Sequence, residues 1–589
     1  MEIRHNRRRW IREVLNPPEI GILYTHNKGF FPGTQPAKQP SRLFVDLLNR
    51  SLGGVIIRTK WQVESEVDFH LQIHSALEET WETVNVRAKW TNSDSHQPGY
   101  NIIGVEFQPE AEPPRLPEEV RMGSGFMPLA SDYDFLKNLP IYKTISRDAV
   151  CSVLNCLKYK HVKAGRRLLK QGSRIDACYF IQSGSCIVEV EDNGKKFPID
   201  RIQTGGIVGE TAILNDHPLG FHVDAETDLE LWALSRSDFD AICSDHPQLH
   251  NFLTHLLIDR FSPTKHTEKR KIGTYLITDM VGEESHSLVY KGLHQPFNLP
   301  VTIKMIKHQT ALDSAFQEYF HNESPTITGF NHENIISIHK IIERFRTVFL
   351  IMERLDGESL KSLLQRWIIL PLPRVTDFLM QTCSGLDCAH RQGIVHRDIS
   401  PANLVIMPGD RLKIVDFGLS PPDEGSNQKL SDSLQYKAPE QMEGRNPDQR
   451  TDIYAAGVVA FEMVTGKKMF PDDDLSALAA KKLDQELQDP SKWQPGLPEI
   501  LRRFILKACA PQPEERFQNA RQALIHLQPL YDSYGLDRQN QIDKHRKMVT
   551  FSLLYSGKNQ PALKKLLQDF NNQLKQLDAE IKAADIQDT

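Results

Sequence analysis

The stretch Gly393-Ile394-Val395-His396-Arg397-Asp398-Ile399-Ser400-Pro401-Ala402-Asn403, followed by Val415-Asp416-Phe417-Gly418, decides how the chain is read. Between the two lie Leu404-Val405-Ile406-Met407, then Pro408-Gly409-Asp410, then Leu412-Lys413-Ile414-Val415. Two short apolar runs around a Pro-Gly-Asp turn signal predict a hairpin. Such a hairpin would set the oxygen-bearing side chains of Asn403 and Asp416 side by side.

The bulk properties bound what surrounds this stretch. A chain of 589 residues is too long for one core, so three or four domains are expected. The net charge of -5 argues against a chain-wide role on nucleic acid or on a membrane surface. The eight cysteines are scattered without zinc spacing and read as reduced core residues, which points to a cytoplasmic protein. No apolar run of about 18 residues occurs, so neither a membrane span nor a secretory signal is expected.

The opening stretch resembles the catalytic loop and metal-binding turn of a protein kinase. From about Gly273 to Leu530 the chain is similar to bacterial Ser/Thr kinases, which implies an α+β bilobal kinase domain over residues 270–530. In that resemblance Asp398 orients the attacking hydroxyl, and Asn403 and Asp416 hold magnesium on the phosphates of ATP. Lys304, in Val301-Thr302-Ile303-Lys304, contacts the nucleotide phosphates, with Glu323 as its ion-pair partner. Gly282 and Val289 flank the phosphate-covering loop, Met352 backs the adenine pocket and Glu353 sits at the hinge. Asp452 is expected to support the catalytic-loop backbone and Arg516 to pair with Glu440 of Ala438-Pro439-Glu440. Two positions depart from the pattern. Glu284 stands where a glycine should let backbone approach phosphate, and Ser400 replaces the usual lysine. Weaker ATP binding and a slower rate are the expected results. Arg397 before Asp398 suggests control by phosphorylation of the following segment, with Ser426 or Ser431 preferred over Ser420 and Ser433.

Residues 1–112 carry six strand-like segments, among them Ile20-Ile22-Tyr24, Leu43-Val45-Leu47 and Val67-Phe69-Leu71-Ile73, and are expected to form a small β-barrel. Arg4, Arg7, Arg8, Arg9 and Arg12 precede it, and Asn49-Arg50-Ser51-Leu52-Gly53-Gly54 fits an (Asp/Asn)xSxxG turn. Together these resemble a PilZ domain, which implies cyclic di-GMP binding by Arg8, Arg9, Arg12, Asn49, Ser51 and Gly54. Guanidinium forks grip phosphate and the guanine N7/O6 edge, and a glycine permits close backbone approach.

Residues 113–127 read as a Pro/Glu linker. Residues 128–265 resemble a cyclic-nucleotide-binding domain, a β-roll with flanking helices. Gly209-Glu210 matches that family's ribose-binding pair, but Leu219 stands where its phosphate arginine belongs. Cyclic AMP or GMP is therefore not expected to bind in the usual mode, and the roll is read as a spacer, dimerisation surface or relay. In the helical tail, 531–589, Leu563, Leu567, Phe570, Leu574, Leu577 and Ile581 form a heptad seam. A short coiled coil and a helix packed on the kinase both remain open, as does a homodimer through the tail or the roll. Two functions follow from these resemblances: a cyclic di-GMP-regulated Ser/Thr kinase acting on a protein substrate, or a pseudokinase scaffold that binds cyclic di-GMP and partners.

Overall fold

The computed structural model describes residues 20–25, 41–51, 54–59, 68–75, 80–94, 100–108, 132–139, 141, 145–192, 194–214, 218–417, 432–470, 482, 488–536, 566 and 569. Arg8, Arg9, Arg12, Ser420, Ser426, Ser431 and, apart from Leu566 and Asp569, the heptad segment lie outside these residues. The chain divides into two compact units, Met1–His266 and Thr267–Thr589.

The first unit opens with β1 (Ile20–Thr25), β2 (Ser41–Ser51), β3 (Gly54–Thr59), β4 (Asp68–Ser75), β5 (Thr80–Ser93) and β6 (Asn101–Phe107). They close into a barrel in the order β1-β2-β3-β6-β5-β4. Alternation is the cause: every second residue, including Val45, Leu47, Ile57, Leu71, Val86 and Ile103, points into one core. Gly104 is required on the outside, because a Cβ there would come within 2.2 Å of the Trp90 ring laid across it. Ser51 pairs with Gly54 and Asn49 with Ile56, so the (Asp/Asn)xSxxG stretch joins β2 to β3 at one end of the barrel.

The helix Arg147–Cys156 packs against β2 and leads into a roll of two four-stranded sheets. The Tyr100 hydroxyl, one residue before β6, lies 2.8 Å from His246 Nε2 of the roll unit, and His246 Nδ1 lies 3.5 Å from Asp148 on that helix. Trp232, Phe180, Phe239 and Phe252 fill the space between the roll and its C-terminal helices, Arg236–Asp245 and His250–Arg260.

In the second unit a six-stranded antiparallel sheet runs in the order Lys271–Ile272, Tyr275–Glu283, Ser287–His294, Leu299–Ile306, Thr347–Glu353, Ile338–Arg344. The helix Ser314–Thr328 packs beside it. The remaining lobe is built on Leu372–His390 and the almost wholly buried helix Gln449–Thr465. The predicted hairpin is present: Leu404–Met407 pairs with Arg411–Ile414. Glu440 and Arg516, both buried, form a bidentate pair at 2.7 and 2.8 Å that ties Pro439–Met442 to the end of the lobe.

Burial pushes the Glu440 carboxyl up, but the Arg516 bonds and Thr451 outweigh it and hold it below the ordinary carboxylate range. A group with a depressed folded pKa contributes stability above its unfolded pKa and loses it as pH falls through the folded value. Glu440→Gln leaves Arg516 buried and half-partnered, so urea titration of the full chain at neutral pH is expected to show a loss of about 3–5 kcal/mol, shrinking in acid. An unchanged midpoint at neutral pH would contradict it.

Candidate active site

The hairpin forms and sets Asn403 beside the Val415-Asp416 strand end, and Asp398 is tied to Asn403. Asn403 and Val415 flank the hairpin's first pair, Leu404 with Ile414, and the Val415 N–H donates to the Asn403 carbonyl at 3.0 Å. The Asn403 amide nitrogen donates to the Asp398 carbonyl at 2.8 Å and to its carboxylate at 3.0 Å. The loop is held in a conformation ordinary residues avoid, with φ of 67° at Arg397 and 70° at Asp416. What sustains that strain is Asp452. Its carboxylate accepts from the backbone N–H groups of His396 and Arg397, each at 2.8 Å, and lies 2.8 Å from His390 Nε2. Burial would raise its pKa, but these partners hold it below the usual range. His396 Nε2 meets the Val415 carbonyl at 2.7 Å, and Phe417 packs its ring against His396 and Phe330. Ser400 is buried and uncharged, so that position supplies no cation to the phosphate.

Lys304 sits in the middle of the six-stranded sheet, 4% exposed, paired across to Val289 on one side and Leu350 on the other. Its ammonium touches Asp416 at 2.7 Å and Glu284 at 2.6 Å. Burial alone would lower its pKa, but the two carboxylates together raise it. Glu284 is fixed in turn by the Ser287 hydroxyl at 2.5 Å, and its N–H donates to the Ser287 carbonyl at 2.9 Å.

The expected ion pair of Lys304 with Glu323 is not formed. Glu323 Oε2 is buried without a hydrogen-bond partner among the described residues, and burial pushes its carboxyl up against the pull of Arg397. Glu284, on the loop directly above, is the lysine's second anionic partner instead. Arg397 lies over the Tyr319 ring on the same helix as Glu323, 4.6 Å from its centroid, and its Nε and Nη1 have no hydrogen-bond partner among the described residues. A half-buried guanidinium with two donors unpaired among the described residues suits an anion.

Gly282 pairs with Val289, and a Cβ at Gly282 would meet nothing within 4 Å, which leaves room beside the sheet for a ligand. Met352 and Glu353 close the strand opposite Thr302 and Val301. The Glu353 carboxylate is turned to Lys413 and the Ser337 N–H, at 2.8 and 2.7 Å, so only its backbone can serve a nucleotide. The donor set fits magnesium-bound ATP: hard oxygens on Asn403 and Asp416, a cation on Lys304 and open space at Gly282. Bound there, magnesium would supply charge neutralisation of the phosphates. Asp398 would accept the hydroxyl proton, and Lys304 would hold phosphate oxygens once Glu284 withdraws.

In the roll, Gly209-Glu210 precedes the short helix Thr211–Leu214, and Glu210 pairs with Arg260 at 3.1 Å. Leu219 is 2% exposed and packs into the apolar core with Val223 and Leu169. His222, three residues on, is committed to the framework: the Gln171 N–H donates to its Nδ1 at 3.0 Å and Glu191 lies 3.1 Å from Nε2.

Residues 275–527 match the protein kinase domain family, and residues 159–246 match the cyclic nucleotide-binding domain family. A probable serine/threonine-protein kinase of Clostridium acetobutylicum is 29% identical over 48% of this chain and 46% of its own length. Serine/threonine-protein kinase PrkC of Bacillus subtilis is 30% identical over 46% of this chain and 42% of its own. PknA of Mycobacterium tuberculosis is 31% identical over 42% of this chain and 59% of its own. The chain thus spans about half the length of these relatives. The second unit carries a kinase domain and the first a cyclic nucleotide-binding domain.

Spacing located Glu284 as an obstacle to phosphate but not as the partner of Lys304. The opposite charge was the available signal. Glu284→Gln is expected to tighten ATP about three- to tenfold, since a part-exposed charged hydrogen bond is removed from the lysine. Titration with a fluorescent ATP analogue reads this directly, and unchanged affinity would show that Glu284 does not compete.

Proposed function

We propose that the chain is a Ser/Thr protein kinase that transfers the ATP γ-phosphate to protein hydroxyls under control of cyclic di-GMP. The observation that carries the catalytic part is the convergence of Asp398, Asn403, Asp416 and Lys304 on one cleft beside an open Gly282. The orphaned donors of Arg397 support activation by a phosphoserine, with Ser426 and Ser431 the preferred sites.

The regulatory part rests on sequence: the arginines at 8, 9 and 12 together with Asn49, Ser51 and Gly54. Packing within the first unit supports a relay from barrel to roll. The strand that carries Asn49 and Ser51 is the one against which the helix Arg147–Cys156 packs, and that helix begins the roll. Leu219 in the roll's core favours a relay over a cyclic AMP or GMP receptor, because an anionic phosphate there would be desolvated against an apolar side chain.

A second reading, a pseudokinase scaffold that binds cyclic di-GMP, is favoured by the Lys304–Glu284 pair, which leaves the phosphate position occupied by a carboxylate. Incubation of the full chain with labelled ATP and magnesium separates the two. The kinase reading expects autophosphorylation that falls about a hundredfold or more in Asp398→Ala and changes on addition of cyclic di-GMP. Calorimetric binding of cyclic di-GMP is expected to be lost in Arg8→Ala. No label under any condition, with binding intact, would select the scaffold.

A further inference from the structure

Lys482 is 2% exposed, yet it makes no ion pair among the described residues. Its ammonium instead donates to three backbone carbonyls: Leu434 at 3.0 Å, Gln435 at 2.9 Å and Lys437 at 2.6 Å. The rings of Phe470 and Tyr454 close around it, 5.3 and 5.8 Å from the nitrogen. An ammonium has three donors and no acceptor, so donors and carbonyls match in number.

The arrangement is costly in stability. Burial lowers the pKa from its ordinary 10.5 to about 7; the Cys509 thiol opposes this and the positive Lys437 adds to it. The unfolded chain binds the extra proton across that window, so the charged, folded lysine is a burden that is greatest below pH 7 and fades as pH rises toward 10.5. Filling this space for stability alone would call for an apolar side chain.

What the lysine does is fix a strip of backbone. Residues 434–437 lead directly into Ala438-Pro439-Glu440, and Gln441 just beyond donates to the Arg397 carbonyl at 2.8 Å, next to Asp398. Tyr436, inside the strip, is held by Glu462 and Lys468. The strip is thus tied to the catalytic loop at its end and to Lys482 along its length.

We propose that Lys482 is a positioning residue for the protein substrate: it holds the backbone of residues 434–437 as the strip along which the substrate lies when its hydroxyl meets Asp398. This rests on the domain acting as a kinase on protein hydroxyls.

The test compares wild type, Lys482→Met and Lys482→Arg as full chains, with dephosphorylated casein as the protein probe and water as the acceptor that needs no docking strip. In Lys482→Met the KM for casein is expected to rise about tenfold or more. ATP hydrolysis to water and the KM for ATP are expected to stay within about twofold. The melting temperature holds or rises, most below pH 7, and Lys482→Arg recovers part of the casein KM. An unchanged casein KM in an active chain overturns the positioning role alone. So does a fall in melting temperature with parallel loss of both activities, which marks a merely structural lysine. A wild-type chain that neither hydrolyses ATP nor labels casein instead overturns the kinase reading on which this role depends.

Discussion

The ammonium of Lys304 is the charge that the active cleft is arranged around. It is buried in the middle of a sheet, and a buried cation must be paired or shed its proton. Asp416 and Glu284 pair it, one from each lobe, at 2.7 and 2.6 Å. Asp416 would share it with phosphate, whereas Glu284 competes for it. The carboxylate of Glu284 places one oxygen, Oε2, on the lysine where a nucleotide would place its own, and ATP would have to displace that contact. The same contact leaves Glu323 without the lysine and beside Arg397, and so links the loop above the cleft to the helix Ser314–Thr328 and to the catalytic loop.

Beneath the cleft buried ion pairs and hydrogen bonds tie the lobe together. Asp452 holds the backbone of His396 and of the strained Arg397 from inside the protein, and Glu440 with Arg516 fixes the end of the segment that follows. These carboxylates are buried with every oxygen paired, the condition under which buried charge is tolerated. Lys482 differs, since its partners are carbonyls and its burial destabilises. A fold keeps a destabilising group where function requires it.

Much of this was legible in the sequence where local pattern decides the outcome. Period-two alternation marked five of the barrel strands and the contiguous run Val55-Ile56-Ile57 the other, and Pro408-Gly409-Asp410 between apolar runs located the hairpin that sets Asn403 next to Asp416. Asp452 and the Glu440 pair with Arg516 also stand where the motifs put them. What remained hidden depends on tertiary competition. Nothing in the spacing of Glu284, Glu323 and Asp416 says which two of three carboxylates one lysine will hold. Lys482 lies in a stretch, Ala479-Ala480-Lys481-Lys482, where either lysine reads as a solvated charge. Only the fold brings one of them under three carbonyls.

For ATP to bind, Lys304 would have to exchange Glu284 for phosphate oxygens. A crystal structure of the full chain with a non-hydrolysable ATP analogue and magnesium tests it most directly. Phosphate oxygens are expected on Lys304, with the Glu284 carboxylate withdrawn from it and the metal on Asn403 and Asp416. A cleft that stays empty at saturating analogue, with Lys304 still bound to Glu284, would contradict it.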